Sequence, residues 1–419
     1  MNHLTKETLN FIIGILIIMI SSPMVIVIAI LSVTWDFIDR LIVGRPFQKP
    51  VTGLTSILGS KLTKFLEPFS LKVVAFKEDV FFITYYLFYA IFIPVFFFSA
   101  LKYTNSYGFS WELCLAYNVI RIGPYFINFA YIYTMCHKEG HQGTDLYKPN
   151  FKFLNGIFNY WIGLFYGVLP ATFLHGHSKN HHKYNNNEGD LVTTGDRARD
   201  NIFNFVKFVP RFTLYSLNIS TTIQFYKEGE KKIALHLVLA SLYYFVFFAL
   251  IFFLNPQFAI FYVLYPLLEQ NLFLSTTNWT WHAFLHEDDP DEIFGNSITI
   301  HDGAYNVLNE DYHVVHHQYP GAHWTNYPKL YQKHIDQYKN RKSFMIKDLH
   351  QFSVFALIVL RQYGWLADKI VGDEGFFKNR DEKIEFVKNR LRICSWGPNA
   401  NYKKNDYAYK HNNSKIKVN

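Results

Sequence analysis

The most constraining feature of this chain is a series of long apolar blocks separated by polar sequence. Each block is about as long as the roughly 20 apolar residues that a helix needs to cross a bilayer. The blocks are residues 9–33, 80–101, 113–136, 153–174, 233–254 and 258–280. Half of all residues are hydrophobic and 42 are phenylalanines. The sequence therefore predicts an all-α integral membrane protein.

The first block is predicted to be a retained anchor helix. It is longer than the apolar core of a signal peptide and lacks a small-residue cleavage site. The loop after it, residues 34–79, is rich in basic residues and is predicted to be cytosolic. These residues are Arg40, Arg45, Lys49, Lys61, Lys64, Lys72 and Lys77. The net charge of +8 thus indicates membrane-flanking loops, and no nucleic-acid partner is expected.

Eleven of the 18 histidines fall into four tight groups. Buried imidazoles need hydrogen-bonding partners and repel one another once protonated, so such clustering is typical of a metal site. The groups are His137/His141, His175/His177/His181/His182, His282/His286 and His313/His316/His317. The three cysteines show no metal-like spacing. Nitrogen is therefore the expected ligand atom.

The spacing within the groups predicts two metal ions. Histidines four positions apart share one face of a helix, as at His137/His141, His177/His181 and His282/His286. Adjacent histidines point about 100° apart, so His181/His182 and His316/His317 could each serve two ions. Nine or ten nitrogen ligands suit two metals, but imidazole does not identify the metal. Carboxylates are scarce, which argues against a bundle-type di-iron site, and Glu310 is expected to support a ligand.

A single site requires every histidine group to reach the same side of the membrane. This holds if 80–101 and 113–136 form one hairpin of spans and 233–254 and 258–280 another. The block at 153–174 must then not cross. Its Asn, Gly and Pro residues are typical of a segment that lies in the interface or dips in and returns. The prediction is four core spans, an anchor helix and a cytosolic helical cap that carries the metal centre.

Other metal proteins fit the histidines less well. A zinc-protease helix needs Glu directly after its first His, where this chain has Lys138. A membrane zinc transporter would carry its ligands within the spans, whereas these histidines lie at span ends and in the cap. Five further histidines have no other histidine close by in the sequence and are expected to be structural or at the surface. They are His3, His236, His334, His350 and His411.

The motifs H-x3-H at 137–141, H-x3-HH at 177–182 and H-x2-HH at 313–317 resemble the three histidine boxes of the membrane fatty acid desaturase and hydroxylase superfamily. Asn278-x3-His282 is also similar to that family, and the resemblance covers about residues 80–335. It implies two non-haem irons. The implied ligands are His137, His141, His177, His181, His182, His282, His313, His316 and His317, with Asn278 acting through water. His175 and His286 are alternates, and His323 is expected behind the ligands.

The resemblance implies an O2-dependent lipid desaturase that introduces a double bond into an acyl chain. The alternatives are a hydroxylase of a fatty acyl, sphingolipid or sterol substrate and, from another class, a non-catalytic metal-binding membrane protein. No catalytic side chain apart from the metal ligands is expected. A haem-binding His-Pro-Gly-Gly motif is absent, so a separate donor such as cytochrome b5 or a ferredoxin-type carrier is expected. Its candidate docking residues are Arg197, Arg199, Lys207 and Arg211.

Three regions are predicted along the chain. Residues 1–79 form the membrane anchor and basic cytosolic linker, 80–335 the desaturase-like domain, and 336–419 a cytosolic C-terminal region. The final Lys-Ile-Lys-Val-Asn resembles a dilysine retrieval signal. The predicted location is the endoplasmic reticulum membrane, with the active site on the cytosolic face.

Overall fold

The long apolar helices dominate the architecture. The structure is a computed structural model that describes residues 3–43, 58–141, 146–286, 293–303, 305–373, 375–398 and 400–401. It is 71% helical, and in its described part four helices are long and apolar enough to cross a membrane. They are Thr5–Ile38, Lys77–Tyr107, Lys231–Leu254 and Pro256–Trp281. The predicted all-α membrane fold is confirmed, while the arrangement in two hairpins stays a prediction.

Some sequence predictions fall on residues that the structure does not describe. Arg45 and Lys49 of the basic loop and the C-terminal dilysine motif lie outside the described residues. His411 lies outside them as well. The three-region division of the chain also stays a prediction.

The N-terminal part of the chain contains the first two long apolar helices and, between them, a short amphipathic helix. Its α-helices are α1 (His3–Val43), α2 (Leu58–Val73), α3 (Phe82–Tyr86), α4 (Ile93–Tyr107), α5 (Trp111–Ile122) and α6 (Ile127–His141). A π-helical turn, Leu87–Phe92, joins α3 to α4, so these elements form one long apolar rod.

The block at 113–136 is broken, which explains why it is not among the four continuous spans. Gly123 ends α5 with φ 76°, a value that favours glycine. A short turn, Pro124–Phe126, then places Tyr125 and Phe126 at positive φ before α6 begins. Ser32 of α1 fixes this kink, because its hydroxyl donates to the Gly123 carbonyl and accepts from the Phe126 N–H. The apolar block therefore forms two helices of 12 and 15 residues.

The segment at 153–174 contains only short helical pieces, in agreement with its predicted failure to cross. They are Pro149–Leu154, Ile157–Trp161 and Ile162–Tyr166, followed by the π-helix Thr172–His181. Residues from 162 to 172 are buried throughout. Neighbouring protein therefore covers the irregular backbone, as a non-crossing segment at membrane depth requires.

The middle of the chain contains part of the cap and the last two of the four long apolar helices. Its α-helices are α7 (His182–Tyr184), α8 (Ile202–Ser216), α9 (Ile219–Lys227), α10 (Lys231–Leu254), α11 (Pro256–Ala259) and α12 (Tyr265–Trp281). A π-turn, Ile260–Leu264, joins α11 to α12. Large apolar side chains of α10, such as Leu239 and Phe253, are exposed on the outside of the protein, as lipid contact requires.

The C-terminal part completes the cap around a second apolar core. It contains α13 (His313–Gln318), α14 (Tyr327–Lys333), α15 (Ile335–Asn340), α16 (Gln351–Val359), α17 (Tyr363–Ala367) and α18 (Arg380–Arg392). Strand β1 (Thr299–His301) pairs in parallel with β2 (Met345–Lys347). The core includes Phe284, Ile300, Ile346 and Leu391, so it holds the ends of the histidine-bearing segments in place.

Candidate metal centre

The first histidine pair lies at the end of α6. His137 and His141 are one α-helical turn apart, and their Nε2 atoms are 2.9 Å from each other. Both rings project toward the second histidine group, where His137 Nε2 comes within 2.7 Å of His177 Nε2. The two groups therefore lie on the same side of the protein, as a single site requires.

The second histidine group occupies a π-helix, which changes the predicted pairing. Spacing predicts that His177 and His181 share one ion, and this is wrong. In a π-helix residues five apart stack on one another, and the Nε2 atoms of His177 and His182 are 2.9 Å apart. His181 points the other way, with its ring centre 4.8 Å from that of His282.

The predicted pairing of His282 with His286 fails because α12 ends too early. Trp281 is the last residue of α12, and the four residues from 283 to 286 are not helical. His282 is oriented instead by its own partner, the carbonyl of Asn296, 2.7 Å from Nδ1. Its Nε2 faces His313 Nε2 at 3.2 Å.

The third histidine group divides its members between two places. His313 and His317, one turn apart on α13, have Nε2 atoms 3.2 Å apart. His316 lies on another side of the same helix, where its Nε2 is 3.0 Å from His182 Nε2. The predicted divergence of adjacent histidines thus occurs at both 181/182 and 316/317.

Together the segments bring nine histidines into two compact groups. The members of each group offer nitrogen atoms that all lie within 4.8 Å of one another. We call them the five-histidine group, His137, His141, His177, His182 and His316, and the four-histidine group, His181, His282, His313 and His317. These are the nine histidines that the sequence predicts as ligands, whereas His175 and His286 belong to neither group.

The geometry of both groups fits a metal ion. Imidazole nitrogens bind first-row metals at about 2.1 Å, so neighbouring ligands lie about 3 Å apart. The Nε2 separations of 2.7 to 3.2 Å agree with this value. At such distances protonated rings would repel strongly, whereas neutral rings sharing one cation are stable. Each group therefore has the donors for one ion.

Burial favours the neutral form of the histidines whose pKa is shifted, and metal binding requires that form. Removal from water lowers the pKa of His141 to about 3, with a further lowering by Lys138 and His181. Burial likewise lowers the pKa of His282 to about 3. The pKa values of the other shifted members lie well below the ordinary value for the same first reason. These are His137, His177, His182, His313, His316 and His317.

Several groups behind the rings fix their orientation. Asp190 accepts a hydrogen bond from His181 Nδ1 at 2.7 Å, which leaves Nε2 for the four-histidine group. Tyr327 contacts His316 Nδ1 at 3.1 Å and accepts from Lys138 Nζ at 2.9 Å. Sequence reasoning missed all three roles, because nothing in the spacing of the histidines points to Asp190, Lys138 or Tyr327.

Glu310 lies close to the five-histidine group, in agreement with its expected supporting role. Its carboxylate forms a buried ion pair with Lys138 and lies 3.6 Å from His137 Nδ1. His323, also expected behind the ligands, is placed differently. Its ring nitrogens bond Asp79 at 3.0 Å and Thr325 at 2.7 Å rather than a histidine of either group.

His175 and Asn278 lie beside the centre in different settings. His175 Nε2 is 2.9 Å from His236 Nδ1, so its ring pairs with α10 rather than with either group. Asn278 is one turn before His282, and its Nδ2 donates to the Val192 carbonyl at 2.9 Å. Its role as a ligand through water stays a prediction.

A largely apolar cavity of about 140 Å³ adjoins both groups. His137 and His177 of the five-histidine group form part of its wall, as do His181 and His313 of the four-histidine group. Trp281 stacks on His313 with ring centres 4.1 Å apart. The rest of the wall is mostly aromatic and aliphatic, including Phe129, Tyr133, Phe173, Phe212, Leu274 and Phe352. A hydrocarbon chain could thus lie directly against the histidines.

The residues predicted to dock an electron carrier are engaged within the protein. Arg199 is fully buried and donates to backbone carbonyls, among them those of Ala283 and Arg390. Arg197 is also buried and pairs with Asp196, as does Arg211. Lys207 is half-buried and pairs with Glu7 of α1 at 3.3 Å. The expectation of an exposed docking residue is therefore wrong for Arg197 and Arg199, while docking at Lys207 and Arg211 stays a prediction.

The fold and the site define a helical membrane protein whose cap gathers nine histidines in two potential metal sites beside an apolar cavity. The family model described as Fatty acid desaturase matches residues 110–348, a range that contains both groups. The chain belongs to the fatty acid desaturase family, as the sequence motifs predict. A search of curated proteins and one of solved structures found no match. Family membership makes it an oxidoreductase of the desaturase/hydroxylase type, which implies a lipid substrate and O2.

Proposed function

We propose that the protein is an O2-dependent lipid desaturase with two non-haem irons. The observation that carries the proposal is that both histidine groups contribute to the wall of one apolar cavity. This arrangement places a potential redox centre against a hydrocarbon chain. Acid–base side chains alone cannot remove hydrogen from an unactivated methylene, so the metal has to supply the oxidising chemistry.

The proposed reaction removes two hydrogens from neighbouring methylenes. One O2, two electrons, two protons and one –CH2–CH2– unit yield –CH=CH– and two molecules of water. The electrons come from a separate carrier of the cytochrome b5 or ferredoxin type. We propose the nine histidines as ligands, with Asn278 acting through water.

The protein's own contribution is to position the chain and keep the ligands in place. The aromatic wall, including Phe129, Phe173 and Trp281, limits how a chain can lie beside the histidines. Asp190 and the Asn296 carbonyl hold His181 and His282 with their Nε2 atoms toward the group. The five-histidine group has its own support in Tyr327 and Glu310. Such support fixes ring orientation and tautomer.

We place the enzyme in the endoplasmic reticulum with its centre on the cytosolic face. The support for the cytosolic face is the basic residues that precede the second span, such as Lys61, Lys64 and Lys72. Localisation of a tagged protein, with protease protection of the tag, tests this assignment.

The experiment for the reaction is a comparison of lipids from cells with and without the protein. A new double bond in a lipid class supports the proposal. A hydroxylated chain identifies the alternative reaction on the same scaffold, and no change, together with no bound metal, indicates a non-catalytic protein. His316→Ala should abolish the change while the protein still inserts into membranes. His334→Ala, a change outside both groups, serves as the control.

A further inference from the structure

Two glutamines in the cavity wall have no side-chain hydrogen-bond partner in the part of the chain that the structure describes. Gln270 of α12 is 3% exposed, and Gln351, the first residue of α16, is 7% exposed. Among the described residues neither side-chain amide forms a hydrogen bond, and Oε1 of Gln351 is completely buried. Burying an amide without a partner is unfavourable. Both side chains therefore offer hydrogen bonds to whatever occupies the cavity.

Several other polar groups on the same wall differ because the fold satisfies them, although Asp311 Oδ2 also has no hydrogen-bond partner among the described residues. Thr277 donates to the Phe273 carbonyl at 3.0 Å, and Thr172 donates to Asn218 Oδ1 at 2.8 Å. Asn278 donates to the Val192 carbonyl. Only a few polar groups usually line an apolar pocket, and those that face the ligand determine its orientation and identity. Gln270 and Gln351 are the candidates for that role here.

The two glutamines lie on helices that pack against each other, and Gln270 lies away from the histidines. Phe352, next to Gln351, packs on Phe273 with ring centres 5.5 Å apart. Phe273 is three residues after Gln270, so it lies on the same side of α12. Gln270 precedes Asn278 by eight residues, which is about 12 Å along a helix. A ligand group bound by Gln270 is thus several methylenes from the centre.

We propose that the substrate is a lipid recognised through a group that both donates and accepts hydrogen bonds, a secondary amide or a hydroxyl. This inference rests on the proposed function. A glutamine amide has both a donor and an acceptor, and a single ligand group satisfies both only if it too can donate and accept. Ester and thioester linkages contain no donor, so a simple ester or thioester is disfavoured. The oxidised carbons lie several methylenes from the recognised group.

Binding to the purified full-length protein in detergent tests this recognition. The probes are an N-alkyl fatty amide, the alkyl ester of matched chain length and a matched hydroxylated chain. Each probe is measured by displacement of a fluorescent fatty amide. We expect the amide or the hydroxylated chain to bind about tenfold more tightly than the ester. If the amide binds more tightly than the hydroxylated chain, the recognised group is an amide. If the hydroxylated chain binds more tightly, the recognised group is a hydroxyl.

Gln270→Met and Gln351→Met keep the side-chain size and remove the hydrogen bonds. Each should weaken binding of the preferred probe about tenfold and leave ester binding unchanged. Gln257→Met, at an exposed position on α11, is the matched control and should retain the preference. Equal binding of all three probes by the unaltered protein overturns the inference, and so does a preference that survives both cavity substitutions.

Oxidation of the same probes by the metal-loaded protein with a reductant separates the two proposals. If the ester is bound and oxidised as well as the amide, the recognition proposal fails while the desaturase proposal stands. If the amide or hydroxylated probe is preferred but no probe is oxidised, recognition stands and the proposed reaction fails.

Discussion

The Nε2 atoms of His177 and His182 lie 2.9 Å apart, although five positions separate the two residues. The backbone explains this, because the His182 N–H bonds the His177 carbonyl in the i→i+5 pattern of a π-helix. His181 is thereby turned toward His282 and away from His177. One short helix can thus supply ligands to two metal sites.

Pairs of histidine substitutions should reveal this division in the metal content. His182→Ala with His316→Ala changes the five-histidine group alone, so we expect about one metal per chain to remain. His182→Ala with His282→Ala changes both groups, and less than one should remain. The measurement is metal analysis of purified protein. His175→Ala is the control and should retain two metals.

Equal metal content in the two double variants would contradict this division of the nine histidines. A fall in metal content with His175→Ala would indicate that His175 is a metal ligand. The comparison between double variants matters more than any single value, because every variant weakens at least one group.

Asp190→Asn should weaken metal binding at the four-histidine group. The carboxylate accepts from His181 Nδ1 at 2.7 Å, and an amide of the same shape cannot reproduce this charge. Loss of such support typically reduces metal affinity by about 10 to 100-fold. Metal titration against a chelator measures the change. Glu188→Gln, at an exposed position on the same loop, should leave affinity unaltered.

The nine histidines of the two groups can be found from the sequence because metal ligation requires particular residue types at regular spacing. Both the residue type and the spacing can be read directly from a sequence. The sequence cannot show which histidines share an ion, since that depends on local helix type. The π-helix around His177 and the end of α12 before His282 are set by tertiary packing. An α-helical rule therefore pairs His177 with His181 and His282 with His286, and both pairings are wrong.

Contacts between segments that are far apart along the chain could not be predicted from the sequence either. Lys138 meets Tyr327 across 189 positions, and Arg199 meets Arg390 across 191. No local pattern marks such partners. The basic character of residues 197–211 predicts an exposed surface, but burial of Arg199 among carbonyls shows that charge alone does not determine exposure. Apolar length, by contrast, predicts the membrane fold correctly, because crossing a bilayer depends on composition.

The metal-free protein should lose stability as the pH falls below about 6.5. Burial lowers the pKa of His141 and His282 to about 3 in the folded protein, whereas unfolded histidines titrate near 6.5. Between these values the unfolded chain binds more protons, so acid favours unfolding by about 1.4 kcal/mol per pH unit for each histidine. Thermal unfolding at pH 7.5 and 5.5 measures this effect.

Bound metal should reduce the pH dependence, because it occupies the nitrogens that would otherwise be protonated. The same measurement on metal-loaded protein is therefore the comparison. His282→Asn removes one titrating group and should reduce the slope of the metal-free protein. A melting temperature of the metal-free protein that is the same at both pH values would refute the assignment of buried neutral histidines.

Lys138→Met should destabilise the cap by about 3–5 kcal/mol, the usual consequence of leaving one member of a buried ion pair without its partner. Lys138 and Glu310 are 6% and 4% exposed, and both lie beside the five-histidine group. Glu310→Met alone should have a comparable effect. The double variant should be destabilised by less than the sum, because no unpaired charge remains. Thermal unfolding in detergent measures all three, with exposed Lys179→Met as the control.

If the two single changes are additive, the ion pair contributes nothing to the stability of the cap. A double variant that is stable but binds only one metal would instead show that the pair acts mainly by holding His137 in position.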